Sequence, residues 1–239
     1  MTLGVYVFAL LLALSSLGHA GPILPCAPDT LQNYINNLAF EGCAIGSATF
    51  STFFLSTLST GATEIDPASL LVNPISDPLS PGFEFRVDRT AAAGELLQSR
   101  FGYILTLESA APVTAHLAMT GSFATGDGVT TVVKSLCPGG EFIVAPDFCE
   151  STDSFDSLPI ETLIVFDIGI EASLSERIAL QPLAKLGVIT DIVVDGGPSG
   201  SAGIGSAINR FTIIPEPGTF WRIPALLACV WLLSRRKSQ

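Results

Sequence analysis

Apolar and polar residues alternate with a period of two in many short segments of the chain. In the clearest case, Phe83, Phe85 and Val87 alternate with Glu84 and Arg86. Such alternation is typical of a β-strand with one buried face. Further strand-like segments are 48–55, 70–75, 103–108, 113–119, 129–136, 142–144, 160–170, 188–194 and 208–214. About ten short strands, separated by Gly, Pro, Asp and Ser, predict an all-β fold with a single β-sandwich-like domain.

Helical periodicity is confined to two segments. Asp29 is a good N-cap, apolar residues recur at positions 31, 34, 35 and 38, and Gly42 stands where a C-terminal glycine belongs. We therefore expect a short N-terminal helix over residues 29–41. Residues 172–184 give a weaker helical pattern, which Pro182 would end.

Glycine-rich positions predict turns. Asp127-Gly128 and Asp195-Gly196 have the composition of hairpin turns. Residues 196–205 contain five glycines, but Pro198 and the return to a strand pattern at Ile208 exclude the strand-to-helix context of a phosphate-binding loop. This segment is predicted to be a flexible connector before the last strand.

The first 20 residues have the pattern of a secretory signal peptide. The apolar run over residues 5–14 is too short to span a membrane comfortably, and Gly18 and Ala20 are small residues of the kind that signal peptidase requires. We expect cleavage after Ala20, so that the exported domain comprises residues 21–214.

The chain ends with three parts in a characteristic order. Pro215, Glu216 and Pro217 precede an apolar run over residues 220–233, and three cations follow at Arg235, Arg236 and Lys237. This order resembles the PEP-CTERM sorting signal of bacterial surface proteins. The resemblance covers about the last tenth of the chain, residues 215–239. It implies a transmembrane segment that anchors the protein transiently in the inner membrane. It also implies an exosortase as partner, which cuts near Pro-Glu-Pro and releases the protein to the cell surface or the exterior.

Composition and charge fit an exported globular domain. With 48% apolar and 14% charged residues, the chain can bury a sizeable core. Four of the 11 Lys and Arg and one of the 22 Asp and Glu lie in the tail, which leaves seven bases against 21 acids and a net charge of −14 for residues 21–214. A domain of this charge repels nucleic acid, so nucleic acid is not an expected partner.

The cysteines predict disulfides. Cys229 lies in the apolar run of the tail, which leaves Cys26, Cys43, Cys137 and Cys149. Four cysteines allow three pairings. We prefer the local one, Cys26 with Cys43 and Cys137 with Cys149. In the chain-entropy model, each of these short loops would stabilise by roughly 3 kcal/mol. A zinc site is not indicated, because no Cys-x-x-Cys and no neighbouring His completes a ligand set.

The chain offers few residues for nucleophilic catalysis. His19 is removed with the predicted signal peptide, so His116 is the single histidine of the exported domain. Alternation places it with Thr114 and Ala118 on one face of a strand. No Gly-x-Ser-x-Gly motif is present, so we interpret His116 as an ordinary strand residue and assign no catalytic residue.

One acidic segment is a candidate calcium site. Asp147, Glu150, Asp153 and Asp156 are close in sequence and interleaved with Ser and Thr. Calcium takes six to eight oxygen ligands, which such a loop can supply. The spacing lacks the full Asp-x-Asp-x-Asp-Gly series, so a solvated acidic loop is the alternative. No other cofactor is indicated.

Two functions of different classes are consistent with these features. The first is a non-catalytic surface or matrix protein whose β-domain binds exopolysaccharide or a neighbouring envelope component. The second is a secreted hydrolase that uses carboxylates or calcium, because two acids that meet in space can come from anywhere in the chain. We favour the first, since the sequence contains no recognisable nucleophile and base.

Overall fold

The structure is a computed structural model that describes residues 23–38, 41–142, 148–151 and 158–214. The predicted signal peptide and the predicted sorting tail lie outside these residues. The described part is mostly β-strand with one short helix, α1 (Leu31–Asn37). The strands are β1 (Asp29–Thr30), β2 (Cys43–Ile45), β3 (Ala48–Leu55), β4 (Thr63–Glu64), β5 (Leu71–Ile75), β6 (Gly82–Ala91), β7 (Leu96–Thr120), β8 (Phe123–Thr125), β9 (Val129–Pro138), β10 (Gly140–Phe142), β11 (Cys149–Ser151), β12 (Glu161–Asp167), β13 (Ala172–Ser173), β14 (Ser175–Asp195) and β15 (Ser201–Ile213). The predicted β-sandwich-like class with an N-terminal helix is confirmed.

Two long strands join the two layers of the sandwich. The main sheet has the order β1-β5-β6-β15-β7-β14-β9-β12-β13. The second half of β7 pairs with β15 and the first half of β14, and these form layer 1 with β1, β5 and β6. The first half of β7 pairs with β3 and the second half of β14, and these form layer 2 with β9, β12 and β13. Strand β14 changes layer where its register shifts between Leu180 and Lys185, near Pro182.

Aromatic rings from both layers fill the core. Phe50 of β3 contacts Phe83 of β6 edge to face, with ring centroids 4.7 Å apart. Phe85 of β6 contacts Phe101 of β7, with centroids 4.6 Å apart. All four side chains are fully buried. Because β6 belongs to layer 1 and its partners to layer 2, these contacts hold the two layers together.

The helix is shorter than predicted and has a different N-cap. It begins at Leu31, and Thr30 caps it, because the Thr30 hydroxyl accepts a hydrogen bond of 3.2 Å from the Asn33 backbone N–H. Asp29 instead lies in β1, opposite Val72 of β5. The predicted boundaries of 29–41 were therefore too wide, because strand pairing includes the expected capping residue.

Two further predictions were wrong. Residues 172–184 form β13 and the start of β14 rather than a helix. The glycine-rich connector is only partly a loop, because Ser201 to Gly205 belong to β15, opposite β6 and β8. Gly203 approaches Phe123 so closely that a Cβ at this position would lie 2.3 Å from the ring, which explains why a strand here uses glycine.

The described residues contain two disulfide bonds. Cys26 is bonded to Cys43 and Cys137 to Cys149, with Cα atoms 4.8 and 5.4 Å apart. This is the local pairing that the sequence favours, and disulfides are typical of proteins from oxidising, extracytoplasmic compartments. In the part of the chain that the structure describes, no helix is long and apolar enough to cross a membrane.

Candidate functional site

Three neighbouring strands of layer 1, β15, β7 and β14, carry the candidate site on their outer face. In the second half of β7, Val113, Ala115 and Leu117 are buried in the core, whereas Thr114 and His116 are only partly buried. The alternation predicted for this segment is therefore confirmed, and His116 lies on the outward face.

The register brings two arginines to either side of His116. Arg177 of β14 and Arg210 of β15 are each directly opposite it. Directly opposite residues have Cβ atoms about 4.5–5.5 Å apart, so the three side chains form one row across the sheet. Thr212 and Thr114, which are opposite each other, form the next row.

The segment before β6 lies along one side of these rows. The Ile213 backbone N–H donates to the Leu79 carbonyl at 3.0 Å, which extends the pairing of β15 beyond the sheet. Ser80 is thereby held beside the strand, with its hydroxyl 3.5 Å from that of Thr212.

These side chains enclose an open pocket of about 280 Å³, here called the basic pocket. Its lining residues are Ser80, Thr114, His116, Arg177, Arg210 and Thr212. Every one of them can donate a hydrogen bond, through a hydroxyl, a guanidinium or an imidazole. Among the described residues, no carboxylate and no phenyl or indole ring lines it. Such a lining suits a ligand that presents oxygen acceptors, and an oxyanion above all.

Two basic side chains outside the pocket lie close to carboxylates. Arg86 forms an exposed ion pair with Asp88 at 2.7 Å, and Lys185 pairs with Glu141 at 2.8 Å. In the pocket the pairing is weaker. Arg210 lies 3.8 Å from Asp77, and no carboxylate of the described residues lies within 4.0 Å of the exposed Arg177 side chain.

Burial and neighbouring cations act together on His116. Desolvation lowers its pKa, and the charges of Arg177 and Arg210 lower it further. The imidazole is therefore neutral near pH 7, with its ordinary pKa near 6.5 as the upper limit.

A buried lysine lies behind the floor of the basic pocket. Lys134 of β9 crosses the core from layer 2, and its Nζ donates to the main-chain carbonyl of His116 at 3.3 Å. The Nζ atom also lies 3.7 Å from the centre of the Phe211 ring. Burial holds the pKa of the Lys134 amine well below its usual range, because the interior disfavours the charged form.

The candidate calcium residues lie mostly outside the described part of the chain. Asp147, Asp153 and Asp156 are not described, and Glu150 lies in β11, directly opposite Glu141 of β10. Within the described ranges, no three His, Cys, Asp or Glu side chains are grouped so that they could hold a metal ion. Calcium binding by this segment stays a prediction.

A second titratable cluster lies in layer 2. Asp191 is partly buried, which raises the pKa of its carboxyl, while a hydrogen bond of 2.8 Å from Gln98 and the charge of Arg100 act in the opposite direction. The Gln98 amide oxygen in turn accepts from the Ser59 backbone N–H at 2.7 Å. These contacts tie the carboxylate into the sheet and explain it as a structural group.

Of the three residues that form the row across the sheet, the sequence pattern singled out His116 but neither arginine. His116 and its face were recognised, but Arg177 lies in the segment interpreted as helical, and Arg210 in the last predicted strand. Residues 116, 177 and 210 meet because β7 lies between β14 and β15. That strand order depends on long-range pairing, which has no local sequence signal. The local signal for the basic pocket was limited to Arg210 and Thr212, which lie on one face of a strand.

Comparison with known proteins gives only distant structural similarities. No protein-family model matches the chain, and no curated protein matches it. A solved family 61 carbohydrate-binding module in complex with β-1,4-galactotriose is 12% identical and matches 77% of this chain and 98% of its own, with a TM-score of 0.28. A family 4 carbohydrate-binding module is 10% identical over 77% of this chain and 98% of its own, with a TM-score of 0.23. The enzymatically active domain of bacteriophage CBA120 tailspike protein 4 is 11% identical over 68% of this chain and 19% of its own, with a TM-score of 0.27. Similarities of this degree decide nothing about function, which must be derived from the side chains.

Proposed function

We propose that this chain is a non-catalytic extracellular binding protein whose β-domain attaches to polysaccharide of the cell envelope through the basic pocket. The observation that carries this proposal is the lining of that pocket. It is open to solvent and consists of hydrogen-bond donors, which match the many acceptor oxygens of a glycan.

The same lining argues against hydrolysis. Cleavage of a glycosidic bond commonly uses a pair of carboxylates on either side of it, whereas the basic pocket has none among the described residues. Ester or peptide cleavage would need a hydroxyl or thiol hydrogen-bonded to a base. Within the described residues, no side-chain hydroxyl is hydrogen-bonded to the His116 imidazole, and all four cysteines of the domain form disulfides.

Export through the sorting pathway belongs to this proposal. The signal peptide would direct secretion, the tail would hold the chain in the inner membrane, and an exosortase would release it near Pro215-Glu216-Pro217. Two disulfides support maturation outside the cytoplasm. Intact-mass measurement of the surface-localised protein should give a chain that begins near Gly21 and lacks Arg235 to Lys237. Retention of the C-terminal peptide would exclude exosortase processing.

Binding and turnover are tested together by incubating the full chain with envelope polysaccharide. We expect the protein to sediment with the polysaccharide and to release no new reducing ends or small fragments, with or without calcium. Fragments that disappear in the Asp153→Asn, Asp156→Asn double variant would instead identify the alternative, a carboxylate- or calcium-dependent hydrolase.

A further inference from the structure

We infer that the basic pocket selects acidic polysaccharides, and that Arg177 and Arg210 hold a sugar oxyanion, a carboxylate or a sulfate ester. This inference rests on the proposed function and names its ligand class. It follows from three features of the described residues: where the cations lie, what lines the pocket, and how the two rows are spaced.

The placement of cations is unexpected for a domain of this charge. Its net charge of −14 repels a polyanion at long range. Yet two of the seven basic residues in the exported part, Arg177 and Arg210, lie directly beside the one histidine of that part. The two guanidinium groups lie on either side of the neutral imidazole, and Asp77, 3.8 Å from Arg210, is the one described carboxylate within 4.0 Å of either group. An anionic ligand between them would interact favourably with both.

The lining distinguishes acidic from neutral glycans. Apolar faces of ligands are commonly held by Phe, Tyr, Trp and aliphatic side chains, and none of the six lining residues is one of these. Guanidinium groups bind planar oxyanions through two parallel hydrogen bonds, which are stronger than bonds between neutral groups. The pocket is thus equipped to recognise charge and oxygen acceptors rather than the apolar face of a sugar ring.

The geometry matches a chain with charge and hydroxyl groups side by side. Arg177 and Arg210 lie on strands separated by β7, so their Cα atoms are about 10 Å apart, two inter-strand spacings. The row of Thr114 and Thr212 lies about 7 Å along the strands, two residues away. Arg177 and Arg210 can hold the oxyanion from both sides. Thr114, Thr212 and Ser80 can contact hydroxyls of the same sugar or of the next one.

The test compares the retention of the full chain on three soluble polysaccharides in affinity gels. Polygalacturonate carries carboxylates, dextran sulfate carries sulfate esters, and dextran carries neither. We expect retention by at least one of the acidic polymers, no retention by dextran, and loss of retention when salt rises from about 50 to 500 mM, because the contacts are ionic. Which acidic polymer is retained identifies the oxyanion.

Variants locate the binding. Arg177→Gln and Arg210→Gln should each weaken affinity about 10-fold or more, the effect of losing a charge-assisted hydrogen bond. Arg86→Gln makes the same charge change on the same layer outside the pocket and should change affinity less than about twofold. Arg177 is exposed, so its variant tests the proposal even if Arg210→Gln does not fold.

The outcomes separate the inference from the proposed function. Retention by dextran equal to that by the acidic polymers would overturn the choice of ligand while polysaccharide binding stands. Retention of an acidic polymer that survives both pocket variants would overturn the basic pocket as the binding site, in this inference and in the proposed function alike. A folded protein that binds neither these polymers nor envelope polysaccharide would overturn both.

Discussion

Lys134 should make the stability of the folded protein increase with pH in a range where most proteins show little change. Burial lowers the pKa of its amine in the folded state, whereas in the unfolded chain it has the ordinary value of about 10.4. Between these two values the unfolded chain binds more protons. The free energy of unfolding should therefore rise with pH, by up to about 1.4 kcal/mol per pH unit.

Replacing Lys134 with methionine removes the titrating group and keeps most of its volume. The variant should be more stable than the wild type near pH 7.5. The difference in the free energy of unfolding between variant and wild type should shrink by up to about 1.4 kcal/mol per pH unit as the pH rises. Near the ordinary pKa of lysine, the wild type should be the more stable protein, because the variant lacks the hydrogen bond to the His116 carbonyl, worth about 1 kcal/mol. Tyr34 and Tyr103, whose pKa values burial raises, lose stability only above about pH 10.

Urea denaturation from about pH 7.5 to 9.5 measures this difference. Far-ultraviolet circular dichroism is the suitable signal, because Trp221 and Trp231 lie in the predicted tail. Lys185→Met is a matched control, since this amine is partly exposed and paired with Glu141. This variant should show the same dependence of the free energy of unfolding on pH as the wild type. A constant difference between wild type and Lys134→Met across the window would refute the claim that burial holds the pKa of Lys134 well below its ordinary value.

Four further predictions concern the bonds, the core, the helix and the pocket. Serine at both Cys137 and Cys149 should lower the free energy of unfolding by about 3 kcal/mol in urea titrations; an unchanged midpoint would contradict the role of this disulfide. Phe50→Ala should cost about 3–5 kcal/mol in the same assay, because the ring is fully buried against both layers. Thr30→Ala should cost about 1 kcal/mol through loss of the N-cap, and no measurable loss would exclude that capping bond. Affinity for an acidic polysaccharide should rise as the pH falls below the folded pKa of His116, because protonation adds a cation that faces the anion, and His116→Gln should abolish this rise.

The sequence predicts elements whose signals are local. Strict alternation over 113–119 correctly placed His116 with Thr114 and Ala118 on one strand face, and the spacing of the four cysteines indicated short-range bridges. The segment 172–184 was misinterpreted because its apolar residues also fit a helical period, and pairing with β7 overrides that weak preference. The basic pocket itself had no local signal, since three distant residues meet only through the strand order.

One titration by nuclear magnetic resonance tests the central claim most directly. Isotope-labelled protein is mixed with an acidic oligosaccharide that carries the oxyanion of the retained polymer, and signals of both partners are followed for hours. The account predicts shifts in the backbone signals of Thr114, His116, Arg177, Arg210 and Thr212, while the oligosaccharide stays intact. Shifts confined to another face of the sandwich, or cleavage of the oligosaccharide, would contradict a non-catalytic domain that binds through the basic pocket.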